Sequence, residues 1–376
     1  MPDARSEGMT AADARVVPLD ARLREHLGRL YPGRRVISIE PLGPDAGATR
    51  ASTTKATGYG KPVRVILAGE GGDKLQIVWR IATPNPFGHD RRADRAASAI
   101  QAFDDFREMP SHIAALDLGV VRADGELVSI RDATEHYLIT GYAPGTIYAE
   151  DLRAIAARRA VTSLDLARLD GLARYLSALH IPVPDHGQYR RSIRDLVGSG
   201  EGIYGIVDGY PDGVPGAPPA RLRAIEERCA AWRWRLRERG DRLARTHGDF
   251  HPFNVVFGDS AVPTLLDASR GGCGDPADDL TAMAVNFLLF AIDDPAAWPH
   301  GLGVLWHQWW QRYLGMRADA ELLDVAPPFF AWRVLVVANP TFYPNLSARG
   351  RDRLLGFTED LLDTRLDPHF AEELFP

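Results

Sequence analysis

The strongest constraint in this chain is the run Thr246-His247-Gly248-Asp249-Phe250-His251-Pro252-Phe253-Asn254, followed by Leu265-Leu266-Asp267. An acid, an amide five positions later and a second acid beyond a short hairpin form the residue set that phosphoryl transfer from magnesium-bound ATP demands. A hydroxyl attacking a γ-phosphorus needs a carboxylate to align it and take its proton, a role that suits Asp249. Magnesium needs hard oxygen ligands that bridge it to the phosphates, and Asn254 with Asp267 would supply them. The spacing works because Val255, Val256 and Phe257 favour a strand, Gly258-Asp259-Ser260 turns, and residues 262–266 read as a return strand. Such a hairpin carries Asp267 back beside Asn254. Each piece alone is commonplace, a turn or a cap, and only the joint pattern carries weight.

The segment resembles the catalytic and metal-binding loops of the aminoglycoside phosphotransferase and choline kinase group, small-molecule kinases with the protein-kinase-like two-lobed fold. Gly274-Asp275-Pro276-Ala277-Asp278-Asp279-Leu280 is similar to the Gly-Asp-Pro and Asp-Leu signature that follows the metal-binding acid in that group. The likeness is specific over residues 246–280 and looser elsewhere. It implies an α+β architecture with a small β-rich amino-terminal lobe and a larger, mostly helical carboxyl-terminal lobe. It also implies ATP or GTP and Mg2+ as cofactors, Asp249 as base, Asn254 and Asp267 on the metal, and Asp275 with Asp279 bracing the catalytic loop. His247 becomes a backbone brace, and His251 a residue that steadies Asp249 or touches phosphate. His247-Gly248-Asp249 stands where protein kinases carry His-Arg-Asp, which favours a small-molecule hydroxyl acceptor over a protein. Neither histidine suits a zinc helix motif, because Gly248 and Pro252 break the helix it would need.

A chain of 376 residues suits two lobes better than one core. The expected division is a tail at 1–18, an amino-terminal lobe at 19–142 and a carboxyl-terminal lobe at 143–376. Apolar residues at 19, 23, 27 and 30 predict a helix, and residues 36–42, 63–67 and 75–81 read as strands separated by glycine-rich turns. Gly58 and Gly60 could let backbone amides approach ATP phosphates, since glycine has no β-carbon in the way; a plain turn is the competing reading. The cation that clamps those phosphates is expected from the third strand, with Arg80 the best candidate and Lys74 and Lys55 in reserve. Its acidic partner is sought on a helix within residues 90–108, at Asp94, Asp104 or Glu108. Tyr137-Leu138-Ile139-Thr140-Gly141-Tyr142 resembles the strand and hinge whose backbone binds adenine, at Gly141 and Tyr142.

Leu169, Leu172, Ala173, Leu176 and Leu179 predict a helix ending at His180, a position suited to capping or packing. Gly200-Glu201-Gly202-Ile203-Tyr204-Gly205 spells a dinucleotide fingerprint but lacks the strand before and the helix after, so residues 198–219 read as a long surface loop near the substrate. Leu222, Ile225, Cys229, Trp232 and Leu236 mark a further helix. Beyond residue 280 the chain reads as largely helical, with runs at 282–292, 302–314 and 329–338. These carry an aromatic cluster that should be mostly core, a subset walling the acceptor pocket. Asp293 and Asp294 at a helix end could attract an amine, or stand as solvated acids.

Cys229 and Cys273 show no metal or redox spacing, and no run has the roughly 18 apolar residues that span a bilayer. Residues 1–17 lack the apolar core of a signal peptide. The sparse cysteines and the use of ATP make the cytoplasm the expected compartment. A net charge of −6 argues against nucleic acid as partner. Three functions stay open: a small-molecule kinase acting on a hydroxyl of an antibiotic or a sugar- or nucleoside-like metabolite, a protein kinase or nucleotidyltransferase on the same fold, and an inactive nucleotide-binding module.

Overall fold

The computed structural model describes residues 19–42, 62–268 and 270–375. Its contacts divide the chain into two units, Met1–Ile139 and Thr140–Pro376. The expected tail, Lys55, Gly58 and Gly60 lie outside the described residues.

In the first unit, helix α1 (Leu19–Leu30) buries Leu23 and Leu27, the stripe that its apolar spacing predicts. Strands β1 (Arg34–Pro41), β2 (Val63–Gly69) and β3 (Lys74–Trp79) form an antiparallel sheet with β2 in the middle. The register sets Val36 opposite Leu67 and Val65 opposite Ile77. Strand alternation then turns Val65 and Leu67 inward to join Leu23 and Leu27 in one core. Helix α2 (Arg92–Asp105) and the hairpin of β4 (Gly119–Val121) with β5 (Leu127–Ser129) follow, and Leu127 enters the same core.

Residues 137–139 do not form the expected strand. The stretch 133–144 runs without β-pairing, and Tyr137, Leu138 and Ile139 are 88%, 86% and 83% exposed. Strand propensity expresses fit against a neighbouring strand, and none among the described residues pairs with this segment.

The second unit comprises β6 (Thr146–Ile147), α3 (Tyr148–Arg158), α4 (Ser163–Leu179), α5 (Gln188–Gly198), α6 (Ile203–Asp208), α7 (Pro219–Leu236), β7 (Ala244–Arg245), β8 (Val255–Phe257), β9 (Pro263–Leu265) and β10 (Cys273–Gly274). Helices α8 (Pro276–Leu289), α9 (Gly303–Met316), α10 (Leu322–Val325), α11 (Pro327–Ala338) and α12 (Ala348–Asp363) complete it. Helix α4 starts at a capping box, in which the Thr162 N–H donates to Asp165 at 2.6 Å and the Asp165 N–H donates back to the Thr162 hydroxyl at 3.3 Å. Helix α8 starts where Asp275 accepts the Ala277 N–H at 2.9 Å and Pro276 fills the first helical position. Apolar nearly all round, α8 is buried along most of its length, with α9 and α11 packed against it. Trp306, Trp309 and Phe330 fill the space around it, and Trp309 donates its indole N–H to the Leu280 carbonyl at 3.0 Å.

The stretch 198–219 is not simply a surface loop, because α6 buries Ile203 and Ile206 within it. The glycine pattern at 200–205 is preceded by helix α5 rather than by a strand, so the dinucleotide arrangement is absent there. No helix among the described residues is long and apolar enough to cross a membrane.

Candidate active site

Residues 246–254 link β7 to β8, and both flanks are pinned. Strand β7 pairs with β10, Arg245 opposite Cys273, and β8 pairs with β9, Val255 opposite Leu265. The Leu266 N–H donates to the Asn254 carbonyl at 2.9 Å, so the hairpin returns Asp267 to the neighbourhood of Asn254. Gly248 has φ +83°, and a β-carbon there would stand 3.0 Å from the Gly271 carbonyl oxygen. The position therefore requires glycine.

Two acids in the first turn of α8 engage this loop, Asp279 directly and Asp278 through Arg333, while Asp275 at its cap bonds to groups outside it. Asp279, wholly buried, accepts the backbone N–H groups of His247 and Gly248, each at 2.8 Å, and Nε2 of His180 at 3.1 Å. The Tyr313 hydroxyl meets the other nitrogen of that ring at 2.6 Å. Burial disfavours the Asp279 charge, but the His180 hydrogen bond and charge and the two backbone donors outweigh it and lower its pKa. Asp275 accepts the Tyr189 hydroxyl at 2.8 Å and two Arg242 nitrogens at 2.8 and 2.9 Å. Asp278 accepts from Arg333 Nη2 at 2.5 Å. Burial pushes Asp278 up to about 6 against the Arg333 charge, and the neighbouring Asp279 adds to the rise.

Asp249 is 8% exposed and its two oxygens face different groups. Oδ1 accepts Arg333 Nη1 at 2.7 Å. Oδ2 lies 3.4 Å from Asn254 Nδ2, 3.5 Å from His251 Nε2 and 3.8 Å from Arg270 Nε. Because Nδ1 of His251 accepts the Phe253 N–H at 3.2 Å, its Nε2 is the nitrogen left to face the carboxylate. Burial works against ionisation of Asp249, yet the His251 hydrogen bond and the charges of Arg333, Arg270 and His251 hold its carboxyl far below the ordinary range. The His247 ring braces the loop from within, its Nδ1 accepting the Asp249 N–H at 3.3 Å.

Arg333 is the residue that sequence reasoning missed. It projects from α11, 5% exposed, donates also to the Gly248 carbonyl at 3.1 Å, and has its guanidinium 3.9 Å from the Trp332 ring centre. One signal was available: Phe329-Phe330-Ala331-Trp332-Arg333-Val334-Leu335 sets a lone cation in an apolar helix, and such a charge demands a buried acid.

Asn254 donates Nδ2 to the Asp249 carbonyl at 3.1 Å, which leaves its Oδ1 available as an acceptor. Asp267 is exposed, at φ +42°, and no described group bonds to its carboxylate. Among the described residues no three His, Cys, Asp or Glu side chains converge as an ion site. A divalent ion here would therefore take one amide oxygen and one carboxylate, with phosphate and water oxygens completing the shell. That donor set fits magnesium, which retains several waters and favours substrate phosphates.

The other expected residues have surroundings of their own. Arg80 follows β3 as an exposed side chain with its guanidinium 5.0 Å over the Phe106 ring. Asp94 accepts the Arg91 N–H at 3.0 Å as part of the α2 cap, because it sits at the third helical position. Gly141 and Tyr142 lie in the unpaired stretch, Tyr142 being 90% exposed. Asp293 accepts the Ser347 N–H at 2.9 Å, and Asp294 pairs with Arg159 at 3.2 Å, so both are engaged. The buried Cys229 thiol is pushed up to about 12 and is inert at neutral pH.

The profile of the phosphotransferase enzyme family (APH) matches residues 90–318. No curated protein matches the chain's sequence. Solved structures that it resembles include the aminoglycoside phosphotransferase APH(3'')-Id from Streptomyces rimosus, 19% identical over 76% of this chain and 95% of that one, TM-score 0.34. The choline kinase LicA from Streptococcus pneumoniae is 12% identical over 91% of this chain and 99% of its own, TM-score 0.33. The amicoumacin kinase hAmiN, solved with AMP-PNP, Ca2+ and Ami, is 15% identical over 94% and 98%, TM-score 0.38. With the family profile spanning more than half of its length, and with the family's α+β, protein-kinase-like fold of a small sheet-bearing unit and a larger helical one, this chain belongs to the phosphotransferase enzyme family.

Proposed function

We propose that the protein moves the γ-phosphate of Mg-ATP or Mg-GTP to a hydroxyl of a small molecule, in the cytoplasm where the nucleotide is abundant. The observation that supports this reading best is the division of labour on Asp249: Oδ1 is clamped by Arg333, while Oδ2 is left toward His251, Arg270 and Asn254. The acceptor hydroxyl donates to Oδ2, its oxygen attacks the γ-phosphorus, the bond to the β-phosphate oxygen breaks, and the proton passes to the carboxylate. A carboxyl held this firmly ionised is a good orienting acceptor and a weak base. Proton transfer then comes late, as suits a loose phosphoryl transition state. Arg270 stands where it would offset charge developing on the transferred group.

Asn254 and Asp267 would hold the magnesium, which neutralises phosphate charge when bound. Arg80 is the proposed phosphate cation, and the backbone at Gly141 and Tyr142 the proposed adenine contact.

Magnesium-dependent nucleotide turnover and product mass test the reading. Asp249→Ala is expected to lower turnover at least about 100-fold, with phosphate appearing on a small molecule in the wild type. Turnover that survives Asp249→Ala, or phosphate or nucleotide appearing only on protein, refutes it.

A further inference from the structure

The catalytic loop borders a cleft of about 380 Å3, small for a ligand pocket. Phe253, which precedes Asn254 in that loop, lines it together with Phe290, Phe342 and Tyr343. Phe253 ties the cleft to the chemistry, four residues after Asp249 in the same loop, and the Asp249 charge adds to burial in raising the Tyr343 pKa. The half-buried Tyr343 adds a phenol hydroxyl to this lining, and Asn345 adds an amide.

The two charged residues lining the cleft are already engaged. Arg153 pairs with Glu150 and lies 5.7 and 5.6 Å over the Phe253 and Phe290 rings. Asp293 is occupied by the N–H and hydroxyl of Ser347. Close to Asp249 the donors without a partner are guanidinium nitrogens, Nε of Arg333 and Nη1 of Arg270. A polyamino sugar entering here would strip water from several ammonium groups without a carboxylate for each, and would approach guanidinium charge. An apolar ring would instead cover phenyl faces and release their water.

Resting on the phosphotransfer reading above, we infer that the acceptor is an uncharged or singly charged hydroxyl compound that presents a flat apolar face to Phe253, Phe290 and Phe342. Its hydrogen-bonding edge meets the Tyr343 hydroxyl and its reacting hydroxyl turns toward Asp249.

Calorimetric binding to the full chain, with a neutral aryl glycoside and a polyamino sugar of similar size as probes, tests this at physiological salt. The aryl glycoside is expected to bind at least about 10-fold tighter. Phe342→Ala, at a half-exposed residue away from the loop, is expected to weaken it about 10-fold. Tighter binding of the polyamino sugar, binding of neither probe, or indifference to Phe342→Ala overturns the inference. Failure of the underlying reading looks different: nucleotide turnover would then survive Asp249→Ala, whichever probe binds.

Discussion

Replacing Arg333 by Met tests the clamp on Asp249, because it keeps most of the buried volume and deletes every hydrogen bond. The guanidinium serves two carboxylates, Asp249 at 2.7 Å and Asp278 at 2.5 Å, and is 5% exposed. Breaking a buried ion pair from one side leaves the other charge uncompensated, at about 3–5 kcal/mol. The pH dependence has a definite sign. Asp249, with its pKa lowered, contributes stability that is present above the ordinary aspartate value of about 4 and lost only as pH falls through the lowered value. Asp278, raised to about 6, carries a charge that costs stability above that pH. In Arg333→Met, Asp278 loses its cation and Asp249 is left with His251 and Arg270. The deficit should therefore be largest at high pH and shrink as falling pH protonates Asp278, at a pH above the wild-type value because the Arg333 charge no longer holds it down. Denaturant unfolding followed by tryptophan fluorescence at several pH values reads this directly. Activity should drop about 100-fold in kcat, since a loosened carboxylate no longer aligns the hydroxyl, while KM for the acceptor stays within a few-fold. A second change, Asp278→Asn in the Arg333→Met background, should restore part of the stability and none of the kcat. Wild-type stability and kcat in Arg333→Met, or recovery of both in the double variant, would refute the clamp.

Other outcomes follow from the same geometry. The acid limb of kcat/KM should centre near pH 6, set by Asp278 rather than by Asp249, and Asp278→Asn should abolish that limb in a pH–rate profile. Asp279→Ala orphans the His247 and Gly248 N–H groups and the His180 ring, and should lower the unfolding free energy by about 3–5 kcal/mol in chemical denaturation. Asn254→Ala and Asp267→Ala should each raise the magnesium concentration for half-maximal nucleotide turnover at least about 10-fold, with stability nearly unchanged for the exposed Asp267. Gly248→Ala should lose activity, because its β-carbon meets the Gly271 carbonyl at 3.0 Å in a φ that disfavours side chains.

The parts of this molecule that could be read from the sequence are those written locally. Asp249 and Asn254 share one loop, and Val255, Val256 and Phe257 foretell the strand whose return carries Asp267 toward Asn254. Helices α1, α4 and α7 announce themselves through the spacing of Leu23 and Leu27, of Leu169, Leu172 and Leu176, and of Leu222, Ile225 and Cys229. Arg333 was out of reach by the same route, since 84 residues separate it from Asp249 and only the packing of α11 brings them together. Tyr137, Leu138 and Ile139 misled because strand preference is satisfied only by a neighbour. Helix α6 hid behind Gly200, Gly202 and Gly205, although Ile203 and Ile206 anchor it in the core. Asp94 also serves locally, accepting the Arg91 N–H at the α2 cap, a role that its place three residues into the helix foretells.

The attachment of the catalytic loop to α8 has a mechanical consequence. Loops ordinarily open at little cost, but here the amides of His247 and Gly248 end on a carboxylate rooted in a deeply buried helix. Their exchange with deuterium should be as slow as that of α8 itself. Heat or denaturant should then extinguish turnover together with the helical unit's cooperative melting, not ahead of it, so whatever mobility the reaction needs must come from segments other than the one that carries Asp249.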